Sequence, residues 1–274
     1  MTMNNHPHTE TLSHIEQALE QARTVLREYV DGDIEVQRKS GGDPVTAADN
    51  AVNEFLREFL PRDAEAWLSE ETTDDFGRIG KERVWIVDPL DGTKEFVQRI
   101  PEWCVSIGLV ENGTAVAGGI LNPQTDELFL GAMGLGVTLN KSPVTVSDRP
   151  TLSGGLVLAS RSEVKRGEWD VFDDAPYTVL PMGSVAYKLA RVSAGLADAT
   201  WTLVPKNEWD VAAGIALVVA AGGTVYAPEM PNVELNNRNT TLKGLIAHSP
   251  LLTDEVHQEL EQRGNVSSFS EQCS

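Results

Sequence analysis

The sequence predicts an α/β protein, with an α+β N-terminal half and an α/β C-terminal half. Three observations carry that prediction. Apolar residues near the start recur at three- and four-residue steps, as on an amphipathic helix. Several short apolar runs follow, separated by turn residues that include Asn112-Gly113. Beyond residue 147, strand-like and helix-like runs alternate.

Taken in order, Ile15, Ala18, Leu19, Ala22 and Leu26 mark the first helix, and Asp31-Gly32-Asp33 ends it. A polar connector with Lys39 and Gly41-Gly42 leads to Asp43-Pro44-Val45-Thr46-Ala47-Ala48-Asp49. Val52, Phe55, Leu56 and Phe59 mark a second helix, closed by Pro61. Trp67-Leu68-Ser69-Glu70-Glu71 is an apolar approach ending in two adjacent acids. Val84-Trp85-Ile86-Val87 is the kind of run that makes a buried strand; it breaks at Asp88-Pro89, and Gly92-Thr93 opens a new helix. Runs at 104–110, 115–121 and 128–130 form an antiparallel meander, joined by a type I′ turn at Asn112-Gly113 and by Asn122-Pro123. Shorter pieces lie at 137–139 and 144–146.

The chain changes character between residues 143 and 155. That places an N-terminal subdomain at 9–146 and a C-terminal one at 147–263, with flexible tails at 1–8 and 264–274. In the second half, a strand at 156–159 runs into Ser160-Arg161-Ser162, and 179–180 makes another. Gly183-Ser184 opens a helix with Val185, Leu189 and Val192 on one side. A strand-like run at 201–204 leads to Pro205-Lys206-Asn207-Glu208-Trp209-Asp210. A small-residue helix over 211–221 ends at Gly222-Gly223. The last strand is 245–247, and Leu252, Val256 and Leu260 mark a final helix. No internal repeat is present.

At 274 residues the chain suits one large domain or two subdomains sharing a core. It is 41% apolar but has no long uncharged apolar run, so no membrane span is expected. The polar N-terminus lacks the apolar core of a signal peptide. Only Cys104 and Cys273 are available, which argues against a structural disulfide and for a cytoplasmic location. A formal net charge of −19 argues against a nucleic-acid backbone or an anionic membrane as partner. A small phosphorylated molecule remains open, provided that positive charge is gathered locally, for instance by divalent cations.

Asp88 and Asp91 stand three apart on the strand-to-helix connection, beside a glycine amide and the Thr93 hydroxyl. A helix N-terminus suits phosphate, and crowded carboxylates repel each other unless a cation lies between them. Each acid also has an ordinary reading. Turn chemistry explains Asp-x-x-Asp-Gly, the helix dipole explains Asp49, and solvated charge explains Glu70-Glu71. N-capping explains Asp210, and likewise Ser184. Arg161 and Lys188 read as surface cations or as phosphate contacts. His248 reads as structural, and a metal role for His6 or His8 has no support. The set shifts the balance, because Asp49, Glu70, Asp88, Asp91 and Asp210 all fall at element ends beside small or turn residues.

These residues resemble the motifs of the inositol monophosphatase superfamily, over residues 9–263. The matching stretches are Pro44-Val45-Thr46-Ala47-Ala48-Asp49, Ser69-Glu70-Glu71, Trp85-Ile86-Val87-Asp88-Pro89-Leu90-Asp91-Gly92-Thr93 and Glu208-Trp209-Asp210-Val211-Ala212-Ala213-Gly214. The resemblance implies a layered αβαβα sandwich and lithium-sensitive, Mg²⁺-dependent phosphomonoester hydrolysis with two to three ions per site. Glu70, Asp88 and the Leu90 carbonyl would hold the first ion. Asp88, Asp91 and Asp210 would hold the second, and Asp49 with Glu70 a weaker third. All are oxygen ligands, as a hard cation prefers. Thr93, with Glu70 or Asp49, would orient the attacking water, and the Gly92 and Thr93 N–H groups would hold the phosphate. Members of the family are commonly dimers, so a homodimer is implied as well.

For the substrate, Lys94-Glu95-Phe96, Ser160-Arg161-Ser162 and Glu208-Trp209-Asp210 are most similar to the bacterial 3'(2'),5'-bisphosphate nucleotidases. That branch cleaves adenosine 3',5'-bisphosphate to AMP and phosphate, and it ranks first. Gly183-Ser184-Val185-Ala186-Tyr187-Lys188 and Trp201-Thr202-Leu203 depart from its pattern toward the inositol phosphatases, which rank second. Expected substrate contacts are Gly92, Thr93, Ser160, Arg161, Ser184, Lys188 and Glu208, with Arg161 on the second phosphate. A non-catalytic phosphate sensor would need a lost ligand or a lost Thr93, and neither is lost.

Overall fold

The computed structural model describes residues 6–30, 36–38, 44–202, 204–228 and 230–263. Asp31-Gly32-Asp33, Lys39, Gly41-Gly42, Asp43, Leu203, Cys273 and the 264–274 tail lie outside the described residues.

Helix α1 (Thr9–Val30) buries Ile15, Ala18, Leu19, Ala22 and Leu26, the stripe whose spacing predicts it. Strands β1 (Val36–Arg38) and β2 (Pro44–Thr46) pair antiparallel and lead into α2 (Ala47–Phe59). Strand β3 (Ala66–Ser69) pairs in parallel with β4 (Arg83–Asp91), and the short helix α3 (Thr93–Val97) follows. Then come β5 (Cys104–Glu111), β6 (Thr114–Asn122), β7 (Glu127–Ala132), β8 (Gly136–Leu139) and β9 (Ser142–Val144). Strands β3 to β9 make a seven-stranded sheet in sequential order, antiparallel from β4 onward. Asn112 and Gly113 have φ of 49° and 82°, the left-handed pair that a type I′ turn needs. The strand expected at 144–146 sits two residues earlier, because Val146 N–H goes to Ala221 O instead of continuing the ladder.

The second half runs β10 (Leu156–Ser160), α4 (Arg161–Lys165), β11 (Thr178–Met182), α5 (Val185–Ser193) and β12 (Ala199–Thr202). It continues with β13 (Lys206–Asn207), α6 (Glu208–Ala220), β14 (Thr224–Tyr226), β15 (Thr241–Leu242), β16 (Leu245–His248) and α7 (Thr253–Arg263). Its five-stranded sheet has the order β11-β10-β12-β16-β14. The β10 pairings are parallel, as alternation predicts, whereas β16 is antiparallel to both neighbours. Strands β13 and β15 form a separate ribbon.

Burial gives the layer order α-β-α-β-α. Along β4, Trp85 and Val87 face α1 and α2, while Val84 and Ile86 face the middle layer. A strand covered on both faces reads as one apolar run. Helices α5 and α6 fill the middle, with Leu189, Val211 and Leu217 packed among residues of both sheets. The outer face of the second sheet packs Val157, Trp201 and Ile246 on Val256 and Leu260 of α7. Gly118 lets α6 lie directly on the first sheet, since a Cβ there would be 2.5 Å from Ala213 O. Helix α6 also packs against β4. Among the described residues, no helix is long and apolar enough to cross a membrane.

Candidate active site

The site forms where β4 stops being a regular strand. The β4–β5 register shifts between Asp88 and Asp91, and Pro89 has no N–H to give to a ladder. Asp88 Oδ1 accepts the Leu90 N–H at 3.0 Å. Gly92 then turns the chain into α3 with φ of 98°, a Cβ there lying 2.9 Å from Glu102 O and 3.0 Å from Trp103 Cβ. Only glycine fits that corner.

Four other elements converge on it. Ser69 of β3 is in register with Val87, so Glu70, one residue on, arrives beside Asp88. Asp210 lies in the first turn of α6. Carboxylate oxygens of Glu70, Asp88 and Asp210 come within 4.8 Å of one another. Asp91 Oδ2 accepts both Ser184 Oγ and Ala186 N–H at 2.7 Å, at the start of α5. Asp49 does cap α2, as its ordinary reading says, accepting Thr46 N–H at 2.8 Å. It also receives the Thr93 hydroxyl at 3.1 Å, and that same hydroxyl lies 3.2 Å from Leu90 O. Asp210 caps α6 too, accepting Asn207 N–H at 2.9 Å. Capping and clustering therefore coexist in the same carboxylates.

Burial and crowding set the charge state. Desolvation, then Glu70, Asp91 and Asp210, hold the Asp88 carboxyl well above its ordinary range. Asp210 is pushed up to about 8, first by burial and then by Asp91. Burial also raises Asp49, against its hydrogen bonds. The partners of Asp49, Asp88, Asp91 and Asp210 are backbone N–H and hydroxyl groups, which stabilise carboxylates without neutralising them. An all-oxygen set carrying uncompensated charge fits a hard divalent cation.

The cluster floors a cleft of about 270 Å³, lined also by Gly92, Thr93, Ser160, Arg161, Ser184 and Lys188. Ser184 caps α5 by accepting Tyr187 N–H at 3.0 Å, from a strained φ of 51°. Arg161 is already paired, its Nη2 and Nε lying 2.5 and 3.2 Å from Glu102 Oε2. Lys188 is not a surface cation. It is 2% exposed, its Nζ donates to Ser184 O at 2.9 Å, and burial lowers its pKa to about 8.

Glu208 is the expected substrate contact that the structure does not bring to the cleft. Its buried carboxylate accepts the N–H groups of Asn236 and Asn237 at 2.7 and 2.9 Å. The same loop is gripped by buried Arg78, through Asn236 Oδ1 and Asn237 O. No local pattern announces contacts across 158 residues. His248 is buried against Tyr226 and away from the cleft, as a structural histidine should be. Lys94, Glu95, Ser162, Lys206, Asn207 and Trp209 also line the cleft. Of these, Lys206 carried a readable signal, a cation placed just before the last acidic motif.

A five-layered α/β fold with an oxygen-ligand cluster under a cleft whose walls carry Lys94, Arg161, Lys188 and Lys206 points to a phosphate-handling protein. The inositol monophosphatase family model matches residues 8–264, and the chain belongs to that family. Members are metal-dependent phosphomonoesterases, and this chain is a metal-dependent phosphoric monoester hydrolase. It is 34% identical over 235 residues to inositol monophosphatase 3 of Solanum lycopersicum, covering 81% of this chain and 87% of that one. The inositol monophosphatase structure from Anabaena (Nostoc) superposes with a TM-score of 0.74 at 32% identity, covering 93% and 96% of the two chains. The structure of CysQ from Bacteroides thetaiotaomicron gives a TM-score of 0.76 at 27% identity, covering 89% and 99%.

Proposed function

We propose that the chain removes the 3'-phosphate of adenosine 3',5'-bisphosphate, releasing AMP and phosphate with the help of two to three Mg²⁺. The observation behind this reading is the charge of the cleft. Lys94, Arg161, Lys188 and Lys206 line it together with Glu95, in a chain of formal net charge −19. Arg161 is paired with Glu102 and Lys188 with backbone carbonyls, and the cation left beyond the metal floor suits a substrate with a second phosphate.

Glu70, Asp88, Asp91, Asp210 and the Leu90 carbonyl would hold the ions, with Asp49 assisting a third. Bound Mg²⁺ supplies Lewis acidity, lowering the pKa of water and offsetting charge on the leaving oxygen. Thr93, between the Asp49 carboxylate and Leu90 O, orients the water; the Gly92 and Thr93 N–H groups hold phosphate oxygens.

Hydrolysis of inositol 1-phosphate is the second reading, supported by the names of the relatives and by the Gly183 to Lys188 helix start. The test is phosphate release from the two substrates side by side in Mg²⁺. We expect kcat/KM for the bisphosphate to exceed that for inositol 1-phosphate by roughly tenfold or more. The reverse ranking sinks the first reading and favours the second.

A further inference from the structure

We infer that Lys206, aimed by the buried carboxylate of Glu163, is the contact for the second phosphate of the substrate. The inference rests on the bisphosphate reading above, and it reassigns the role expected of Arg161.

Two other basic residues of the cleft, Arg161 and Lys188, are committed. Arg161 gives two nitrogens to Glu102 Oε2, and the same oxygen also takes Gly183 N–H at 2.8 Å. Lys188 Nζ turns to the carbonyls of Ser184 and Met182 at 2.9 and 3.4 Å. Lys206 differs. Its Nζ lies 3.7 Å from Glu163 Oε1, an ion pair longer than a hydrogen bond. An ammonium has three donors, and this pairing directs it without occupying them.

Glu163 is built to aim rather than to move. It is 1% exposed on α4 and accepts Thr202 Oγ1 at 2.5 Å and Trp169 Nε1 at 3.1 Å. Lys206 is fixed at its other end by the ribbon with β15, where it faces Leu242. Lys206 lines the same cleft as Lys188 and the carboxylates of Asp88, Asp91 and Asp210. A cation on the wall of this cleft can meet a phosphate that neighbours the one held over the carboxylates. The two ligand chemistries separate cleanly: metal ions over the carboxylates for the cleaved phosphate, and a protein ammonium for the retained one.

The test compares Lys206→Met, Lys206→Arg and Glu163→Gln with wild type on adenosine 3',5'-bisphosphate and on inositol 1-phosphate. Methionine keeps the packed stem without the charge, and melting temperatures check that each variant folds. We expect Lys206→Met to raise KM for the bisphosphate roughly tenfold, with kcat changed less than about threefold. The loss of kcat/KM should be about five times larger on the bisphosphate than on inositol 1-phosphate. Lys206→Arg should restore most of it. Glu163→Gln, which keeps polar atoms for Thr202 and Trp169, should give the same split at smaller size. Equal losses on both substrates would place Lys206 in service of the metal floor and overturn the inference. An unchanged KM in Lys206→Met, with wild type turning over the bisphosphate, would overturn it while the substrate reading stands. A wild type that prefers inositol 1-phosphate removes the substrate reading, and the inference falls with it.

Discussion

Asp210→Asn should make the metal-free protein more stable at pH 8 while destroying its activity. Burial and Asp91 push the Asp210 carboxyl from its ordinary 3.8 to about 8. The folded chain therefore holds this proton more tightly than the unfolded one does. Its cost to stability is absent below about pH 4, grows as pH rises, and is complete above about pH 8. A shift of that size corresponds to roughly 6 kcal/mol. That is an upper bound, since Asp88 and Asp91 share the repulsion and relax when one charge is removed. Taking half of it, at about 2–4 °C per kcal/mol for a chain of this size, gives roughly 6–12 °C. Asparagine keeps an oxygen for Asn207 N–H, so the helix cap survives. The assay is calorimetric melting of both proteins in EDTA at about pH 5.5, 7 and 8.5, then with Mg²⁺ added. General acidity slopes both proteins alike, so the difference between them is the readout. Wild type should lose the larger share as pH rises and recover with Mg²⁺. Parallel slopes, or a variant no more stable than wild type at pH 8.5, would refute the reasoning.

Two further substitutions test the corner after β4. Thr93→Ala should lower kcat by about a hundredfold or more with apparent Mg²⁺ affinity nearly unchanged, since the hydroxyl orients water; calorimetry showing lost Mg²⁺ binding with full turnover at saturating metal would remove that role. Gly92→Ala forces a side chain into φ of 98° with a Cβ 2.9 Å from Glu102 O, so it should cost about 1–3 kcal/mol in chemical denaturation. An unchanged midpoint would mean that the corner is loosely held.

The acids could be read from the sequence because each sits at an element end, where a turn residue or an apolar run fixes its place within a few residues. Asp88, Asp91 and Thr93 share one stretch, and Asp49 and Asp210 each open a helix whose apolar spacing is plain. What their sequence positions could not say is that capping and clustering are satisfied by the same atoms. Pairings formed only by tertiary approach were closed to sequence reasoning: Arg161 with Glu102, Lys206 with Glu163, Glu208 with Asn236 and Asn237. The short strands β1, β2, β13, β14 and β15 leave no signal in the sequence, because two or three residues carry no period. Helix α6 was legible as a helix, but being apolar all round it did not reveal that it lies between two sheets.

The placement of Lys188 explains why this acidic cluster needs an external cation. A buried ammonium near Asp91 could have closed an ion pair and neutralised part of the floor from within. Instead its Nζ is spent on two backbone carbonyls, while Asp91 receives the Ser184 hydroxyl and the Ala186 N–H. Arg161 is held off in the same way by Glu102. Neutral donors orient the carboxylates but leave their charge, so the burial and repulsion that raise Asp88 and Asp210 act until ions that are not part of the chain offset them. Of the cations at the wall of the cleft, Lys206 has an ion pair that directs it without a hydrogen bond. A chain that neutralised its floor with lysine would be more stable without metal and would have lost the reason to bind it.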